Sequence, residues 1–103
     1  MIIPVDSPEQ LVAGDKPKVV CFTNPVSCVP CAALKPHFER VAAAALGVAD
    51  FMEVNVLDHM HIAAEYGVSG TPTILFIDRN GVTDVKARAA MPLVSEINSL
   101  IEA

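Results

Sequence analysis

The chain lacks an excess of positive charge, because 7 lysines and arginines stand against 12 aspartates and glutamates and give a net charge of −5. A domain that binds nucleic acid non-specifically carries a basic stripe, whereas the basic residues here are scattered along the sequence. No apolar run approaches the roughly 18 residues that a membrane-spanning helix needs. The sequence therefore predicts neither a nucleic-acid partner nor a membrane.

Targeting and low-complexity segments are also missing from the sequence. The first residues lack the basic start and the long apolar region of a secretory signal peptide, from which we expect a cytoplasmic protein. No internal repeat or linker divides the 103 residues, of which 52% are apolar, so we predict one globular domain over residues 1–103. A domain of this size buries roughly 65% of its unfolded surface and needs no disulfide staple.

Cysteine is scarce, and the three cysteines are unevenly placed. Cys28 and Cys31 lie three residues apart in the segment Cys28-Val29-Pro30-Cys31, whereas Cys21 lies inside an apolar run. We predict that Cys21 is a buried small hydrophobic residue. In a reducing cytoplasm, a close cysteine pair is more typical of a catalytic or metal-binding site than of a structural disulfide.

The cysteine pair is predicted to stand where a strand gives way to a helix. A cysteine at the first turn of a helix faces unpaired backbone N–H groups and the positive end of the helix dipole, which favour the thiolate. We therefore expect Cys28 to be exposed, to have a lowered pKa and to attack, and Cys31 to be shielded and to resolve. Pro30 suits the first turn because it loses no useful N–H there. Lys35 and Glu53 are predicted to face solvent.

The apolar periodicity predicts alternating elements in the order β-α-β-α-β-α-β-β-α. We expect strands at residues 2–5, 18–23, 51–56, 73–77 and 82–87, and helices at about 7–13, 30–46, 58–66 and from 92 onward. Apolar helices between buried strands indicate an α/β fold, a three-layer α/β/α sandwich around a mixed central sheet. Its final hairpin makes part of the sheet antiparallel.

Glycine, proline and aspartate give the expected boundaries of these helices. Gly47 is predicted to end the long helix, and Pro36 inside that helix is predicted to kink it. Asp58 is expected to cap the following short helix. Pro92 is expected to open the last helix, whose apolar stripe includes Leu93.

These motifs resemble those of the thioredoxin family over nearly the whole chain, from about residue 2 to residue 103. The cysteine pair follows a buried strand, Pro36 lies five residues past Cys31, and the segment Gly70-Thr71-Pro72-Thr73 places Pro72 41 residues past Cys31. The resemblance implies a thioredoxin fold and a protein-disulfide reductase that works by dithiol–disulfide exchange in electron transport. It implies no cofactor besides the redox-active cysteine pair and an external reductant.

The resemblance also implies where substrates bind. It places Val29 and Pro30 beside the attacking sulfur, and it makes the Thr71–Pro72 bond a cis peptide bond that faces the cysteines. A cis bond there is expected to expose the backbone of Thr71 to an extended substrate, which would bind as in strand addition. The implied partners of this monomer are disulfide-containing client proteins and an electron donor, either a thioredoxin-reductase-like enzyme or a small thiol.

The chain departs from the family pattern at four places. Ser27 stands where the family usually has tryptophan, and Val29 replaces a glycine, so that a branched side chain narrows the space beside the attacking sulfur. Either Cys21 or Phe22 takes the place of a buried aspartate that helps to deprotonate the second cysteine. The pair Ala89-Ala90 stands where a glycine usually lines the substrate groove.

Three alternatives remain open from the sequence. Cys28 and Cys31 could form half of a zinc site with His37, His59 or His61, although the spacing of these histidines is poor for that purpose. The domain could be an accessory binding module whose cysteines are idle. It could also be an oxidase or isomerase variant of the same fold, which would require an oxidising compartment.

Overall fold

Five strands and three helices alternate along residues 2–88, 91–92 and 94–102, the part of the chain that the computed structural model describes. In chain order they are β1 (Ile3–Pro4), β2 (Lys18–Thr23), α1 (Val29–Ala44), β3 (Asp50–Asn55), α2 (Met60–Glu65), β4 (Thr73–Ile77), β5 (Thr83–Arg88) and α3 (Val94–Glu102). This order confirms the predicted fold class.

A single 3₁₀ turn at Pro8–Leu11 takes the place of the predicted first α-helix. The side-chain oxygen of Gln10 accepts the backbone N–H of Ser7 at 3.0 Å and fixes the start of the turn. Gly14, with φ +74°, then redirects the chain before an α-helix can develop. The short helix predicted at residues 7–13 therefore has the expected start, with Ser7 as its N-cap, but is a 3₁₀ helix that ends at Leu11.

The sheet is mixed, with its strands in the order β1-β3-β2-β4-β5. β1, β3 and β2 are parallel, whereas β4 runs antiparallel to β2, and β5 runs antiparallel to β4. The antiparallel part of the sheet therefore includes the β2–β4 pair as well as the predicted β4–β5 hairpin. β2 lies in the middle of the sheet and is buried from Lys18 to Phe22, as a strand covered on both faces should be.

Helices cover both faces of the sheet, and the core is divided accordingly. The face that packs against α1 and α3, called here the α1 face, includes Val19, Cys21, Leu34, Phe38, Phe51, Ile74, Ile97 and Leu100. The face that packs against the 3₁₀ turn and α2, called here the α2 face, includes Val5, Leu11, Val20, Phe22, Met52, Val54, Ile62 and Leu75. Successive strand residues belong to opposite faces, which confirms the three-layer arrangement.

Two predicted helix boundaries shift in the structure. α1 ends at Ala44, two residues earlier than predicted, and Gly47 lies in the turn that follows, with φ +89°. The carbonyl oxygen of Asn55 accepts the backbone N–H groups of both Asp58 and His59, at 3.2 and 3.0 Å. These bonds hold Asp58 in a turn, so His59 rather than Asp58 is the N-cap of α2.

The β4–β5 hairpin has the turn that the sequence predicts at residues 78–81. A carboxylate oxygen of Asp78 accepts the backbone N–H groups of Asn80 and Val82, each at 2.9 Å, which is the usual role of an aspartate in a turn. α3 begins at Val94, after Pro92.

Three residues for which the sequence makes predictions lie outside the described part of the chain, namely Leu93 and the pair Ala89-Ala90. Pro36 lies inside α1 as expected, and the kink predicted there stays a prediction. No helix in the described ranges is both long and apolar enough to span a bilayer.

Candidate active site

The cysteine pair sits at the start of α1, at the end of a short loop that follows β2. The side-chain oxygen of Asn24 accepts the backbone N–H groups of Val26 and Ser27 at 3.0 and 3.1 Å and bends the chain toward the helix. Cys28 is the N-cap residue of α1 and is disulfide-bonded to Cys31. Their Cα atoms are 5.2 Å apart, within the normal span of a disulfide.

The two sulfurs of the pair differ in exposure and in hydrogen bonding. Cys28 is half-buried, whereas Cys31 is only 6% exposed. The backbone N–H of Cys31 donates to the Sγ of Cys28 at 3.2 Å. A helix N-terminus and an N–H donor both stabilise negative charge, so the site favours a thiolate at position 28. Val29 and Pro30 are exposed beside it, Val29 to 83%.

A cavity of about 160 Å³ extends from the disulfide into the layer between the sheet and α1. Its lining includes Cys21, Asn24, Cys28, Cys31, Lys35 and Glu53. Lys35 is exposed, as predicted, and also reaches this cavity. Glu53 is half-buried, so it faces solvent only in part.

The two-residue period of a strand indicates to which face of the sheet Glu53 points. Side chains two residues apart in a strand point to the same face. Phe51 is buried on the α1 face, so Glu53 must point to that face as well. The strand register confirms this, because Glu53 pairs with Cys21, another residue of the α1 face.

The structure also decides which residue of β2 stands closest to the cysteine pair. Cys21 is on the α1 face and lines the cavity, whereas Phe22 is on the opposite face. Burial, reinforced by the negative charge of Glu53, raises the pKa of the Cys21 thiol from 9.0 to about 12. Cys21 is therefore a neutral thiol at physiological pH, which fits the predicted role of a buried small hydrophobic residue.

The Thr71–Pro72 bond is cis, as the resemblance implies. The hydroxyl of Thr73 donates to the carbonyl oxygen of Gly70 at 2.6 Å and closes this segment. Pro72 is buried, and Thr71 is half-buried and lines a separate apolar groove that also contains Met60. Neither residue lines the cavity at the cysteine pair, and their contact with substrate stays a prediction.

The described ranges provide no set of ligands for a metal ion. No three histidine, cysteine, aspartate or glutamate side chains there cluster closely enough to hold a metal ion. The rings of His59 and His61 lie 6.1 Å apart, and among the described residues that line the cavity none is a histidine.

Comparison with known sequences gives a consistent result. The family described as Thioredoxin matches residues 5–101. A thioredoxin of Mycoplasma genitalium is 37% identical over 84 residues, which is 82% of this chain and 79% of that protein. The mitochondrial thioredoxin of Mus musculus is 35% identical over 77% of this chain, which spans about half of that relative's length, 47%.

Comparison with solved structures extends the similarity to the fold. The thioredoxin of Malassezia sympodialis superposes with a TM-score of 0.79 at 29% identity, over 99% of this chain and 89% of that one. Chloroplastic thioredoxin z superposes with a TM-score of 0.80 over 98% of this chain and 94% of that one. Its identity is 23%, so this second likeness concerns the fold alone.

Proposed function

Because this chain belongs to the thioredoxin family and is a thiol–disulfide oxidoreductase, we propose that it reduces disulfides in client proteins. In this proposal Cys28 is the attacking residue and Cys31 is the resolving residue. The unequal exposure of the two sulfurs carries the proposal, because only Cys28 is open to a protein substrate while Cys31 is held behind it.

The proposed cycle moves two electrons from the dithiol to the client. The thiolate of Cys28 attacks one sulfur of the client disulfide, and the other client sulfur leaves as a thiolate. Cys31 then attacks the sulfur of Cys28 and expels the remaining client sulfur as a second thiolate. The product is the Cys28–Cys31 disulfide, which is the state seen in the structure.

The local geometry supports the first step of this cycle. The N–H of Cys31 lies 3.2 Å from the sulfur of Cys28, and Cys28 caps the N-terminus of α1. Both features lower the free energy of the thiolate relative to the thiol. We therefore infer that the pKa of reduced Cys28 lies below that of a free cysteine, and thiol alkylation as a function of pH measures it.

The surface around Cys28 is suited to a protein substrate. Val26 and Val29 are exposed to 79% and 83% and form an apolar border beside the pair. We propose that an extended client segment contacts Val29 and Pro30 on one side and the backbone of Thr71, next to Pro72, on the other. Backbone hydrogen bonds at Thr71 would orient the client without selecting its sequence.

The remaining parts of the proposal concern partners and location. The oxidised domain must be reduced by a thioredoxin-reductase-like enzyme or by a small thiol, so it passes electrons between a donor and its clients. We propose that it does so as a monomer, since every residue of the cycle comes from one chain. A reducing cytoplasm is its proposed compartment, because it keeps such a pair in its reduced, active form.

Insulin reduction with dithiothreitol as the donor tests the proposed activity. We expect faster precipitation of insulin than with dithiothreitol alone, and no acceleration would favour an accessory binding role. Measurement of the thiol–disulfide equilibrium with glutathione tests the direction of transfer. A strongly oxidising pair would favour an oxidase over a reductase.

A trapping experiment tests the two cysteine roles separately. A Cys31→Ser variant should retain clients as mixed disulfides through Cys28, because the resolving thiol is missing. A Cys28→Ser variant is the matched control and should retain none. Equal trapping by the two variants would contradict the assignment.

A further inference from the structure

The resolving step has a difficulty that the cycle leaves open. Cys31 must lose its proton before it can attack, since the thiolate is the nucleophile. With 6% of its surface exposed, Cys31 has little contact with bulk water, and burial disfavours its charged form. The proton therefore needs an acceptor on the inner side of the pair.

The cavity behind the pair offers one carboxylate among the described residues that line it, and this is Glu53. The cavity has a volume of about 160 Å³ and polar side chains in its wall, including Asn24 and Lys35, so it offers both the room and the hydrogen-bond partners that a water molecule needs. Water can therefore connect the sulfur of Cys31 to the carboxylate of Glu53.

Glu53 also borders a second cavity that lies on its outer side. This outer cavity, of about 440 Å³, is lined by Ile2, Pro4, Lys35, Glu39 and Glu53. Glu53 is half-buried between the two cavities, so its carboxylate can take up a proton on one side and release it on the other. Glu53 pairs with Cys21 in the strand register, and both line the inner cavity, so the charge of Glu53 acts on that side as well.

We propose that Glu53 is the proton acceptor for Cys31 in the resolving step, acting through water in the inner cavity. The inference rests on the proposed cysteine roles. The proton on the sulfur of Cys31 passes through water to Glu53, and the electron pair left on that sulfur forms the bond to Cys28. The bond between Cys28 and the client breaks, and the client sulfur leaves with its electron pair and takes a proton from solvent.

Lys35 completes the arrangement from the helix side. It lines both cavities together with Glu53, so its positive charge offsets the negative charge that develops on Cys31 during proton transfer. The titratable groups that face the inner cavity are Cys21 from β2, Cys28, Cys31 and Lys35 from α1, and Glu53 from β3. Cys21 stays neutral below its pKa of about 12, so Glu53 is the proton acceptor left among them.

Stopped-flow reaction of the reduced protein with less than one equivalent of dithionitrobenzoate separates the two steps. The attack of Cys28 releases the first thionitrobenzoate, and the attack of Cys31 on the mixed disulfide releases the second. In Glu53→Gln we expect the first phase to be unchanged and the second to slow about ten- to a hundredfold at neutral pH, as for loss of a general base. Its rate should rise more steeply with pH than in the wild type.

Two further variants keep this test specific. Glu53→Asp preserves a carboxylate that water can reach, so its second phase should stay within a few-fold of the wild type. Glu39→Gln removes the same charge from the outer cavity alone and should change neither phase.

Several results would overturn the inference. These are an unchanged or faster second phase in Glu53→Gln, equal slowing of both phases, or equal slowing in Glu39→Gln. An error in the proposed function would be distinguishable. If Cys28 is not the attacking residue, the first release of thionitrobenzoate would persist in Cys28→Ser.

Discussion

The two faces of the sheet differ in what their cores contain. The described core of the α2 face is largely apolar, with residues such as Phe22 and Val54, and the buried side chains of Lys18 and Thr73 share that face. The α1 face has an apolar cluster of similar extent, but a polar cavity with Glu53 and three cysteines opens into it. The α2 face thus serves packing, whereas the α1 face combines packing with the cavity at the cysteine pair.

Neighbouring residues of one strand contribute to different faces of the sheet. Cys21 and Phe22 are neighbours in β2, yet Cys21 lines the cavity and Phe22 is fully buried on the far face. Because side chains alternate along a strand, one central strand serves both faces. Substitutions at neighbouring positions should therefore have unlike effects.

The largest expected effect is the loss of activity in Cys28→Ser. A serine hydroxyl does not attack a disulfide at neutral pH, so we expect at least about a thousandfold lower rate of insulin reduction, in line with the removal of a nucleophile. The free energy of unfolding of the reduced protein should change by less than about 0.5 kcal/mol, since the site is half-exposed.

Cys21→Ala is the matched control on the same face. It removes a sulfur from the cavity wall but leaves the exchanging pair intact, so most of the activity should remain. Comparable loss of activity in the two variants would mean that Cys21 takes part in the exchange.

The second prediction concerns the α2 face, where stability rather than activity should suffer. Phe22→Ala removes a fully buried ring, and such a change lowers the free energy of unfolding by about 3–5 kcal/mol. Urea denaturation measures this loss, and the activity of the molecules that remain folded should be unchanged. Phe22→Leu, a smaller change in volume, serves where the alanine variant is too unstable.

Leu46→Ala is the control for this measurement, because Leu46 is 73% exposed. It should alter the free energy of unfolding by less than about 0.5 kcal/mol. A loss of activity in folded Phe22→Ala would show that the two faces are coupled more closely than their packing indicates.

Much of the fold and part of the site could be predicted from the sequence. Local features sufficed for the strands, for the cysteine pair at a helix start and for the unequal exposure of Cys28 and Cys31. The cis bond before Pro72 came from the resemblance to the family. These features depend on residues close together in the chain or on a motif as a whole.

The parts that were missed depend on contacts between distant residues. Glu53 lies 22 residues past Cys31; the strand period indicates its face, but the register of β3 against β2 is needed to bring it to the cavity. The choice between Cys21 and Phe22 as the residue of β2 nearest the cysteine pair likewise required knowing to which face of the sheet each side chain points. Asp58 is not the N-cap of α2 because its backbone N–H donates to the carbonyl oxygen of Asn55, which holds it in the preceding turn. The preference of aspartate for N-cap positions does not reveal this bond.

The third prediction uses the raised pKa of Cys21, about 12 against an ordinary value of 9.0. Because the folded state keeps this proton longer than the unfolded state, its contribution to stability is complete below about pH 9 and is lost as the pH rises toward 12. In that window the stability should fall by at most about 1.4 kcal/mol per pH unit. Denaturation of the oxidised protein, in which Cys28 and Cys31 do not titrate, measures it.

Cys21→Ala should lack this contribution. The difference in pH dependence between this variant and the wild type therefore isolates the effect of the thiol from that of other groups, such as Tyr66 and the lysines. Glu53→Gln should narrow this pH window only in part, since burial is the larger cause of the raised pKa. Equal slopes in wild type and Cys21→Ala would mean that the thiol is not buried in the oxidised protein.

The smallest expected effect concerns the border of the site rather than its core. Val29 is 83% exposed beside Cys28 and adds branched bulk where a client must approach. Val29→Ala should raise kcat/KM a few-fold for disulfides recessed in a protein surface, while the rate with dithionitrobenzoate should stay within about twofold. Val12→Ala, also strongly exposed but located before β2 and outside the site, should leave both rates unchanged. A fall in the protein rate of Val29→Ala would instead show that the apolar contact of Val29 with clients outweighs the space it occupies, and would extend the functional part of the α1 face from its cavity out to its surface.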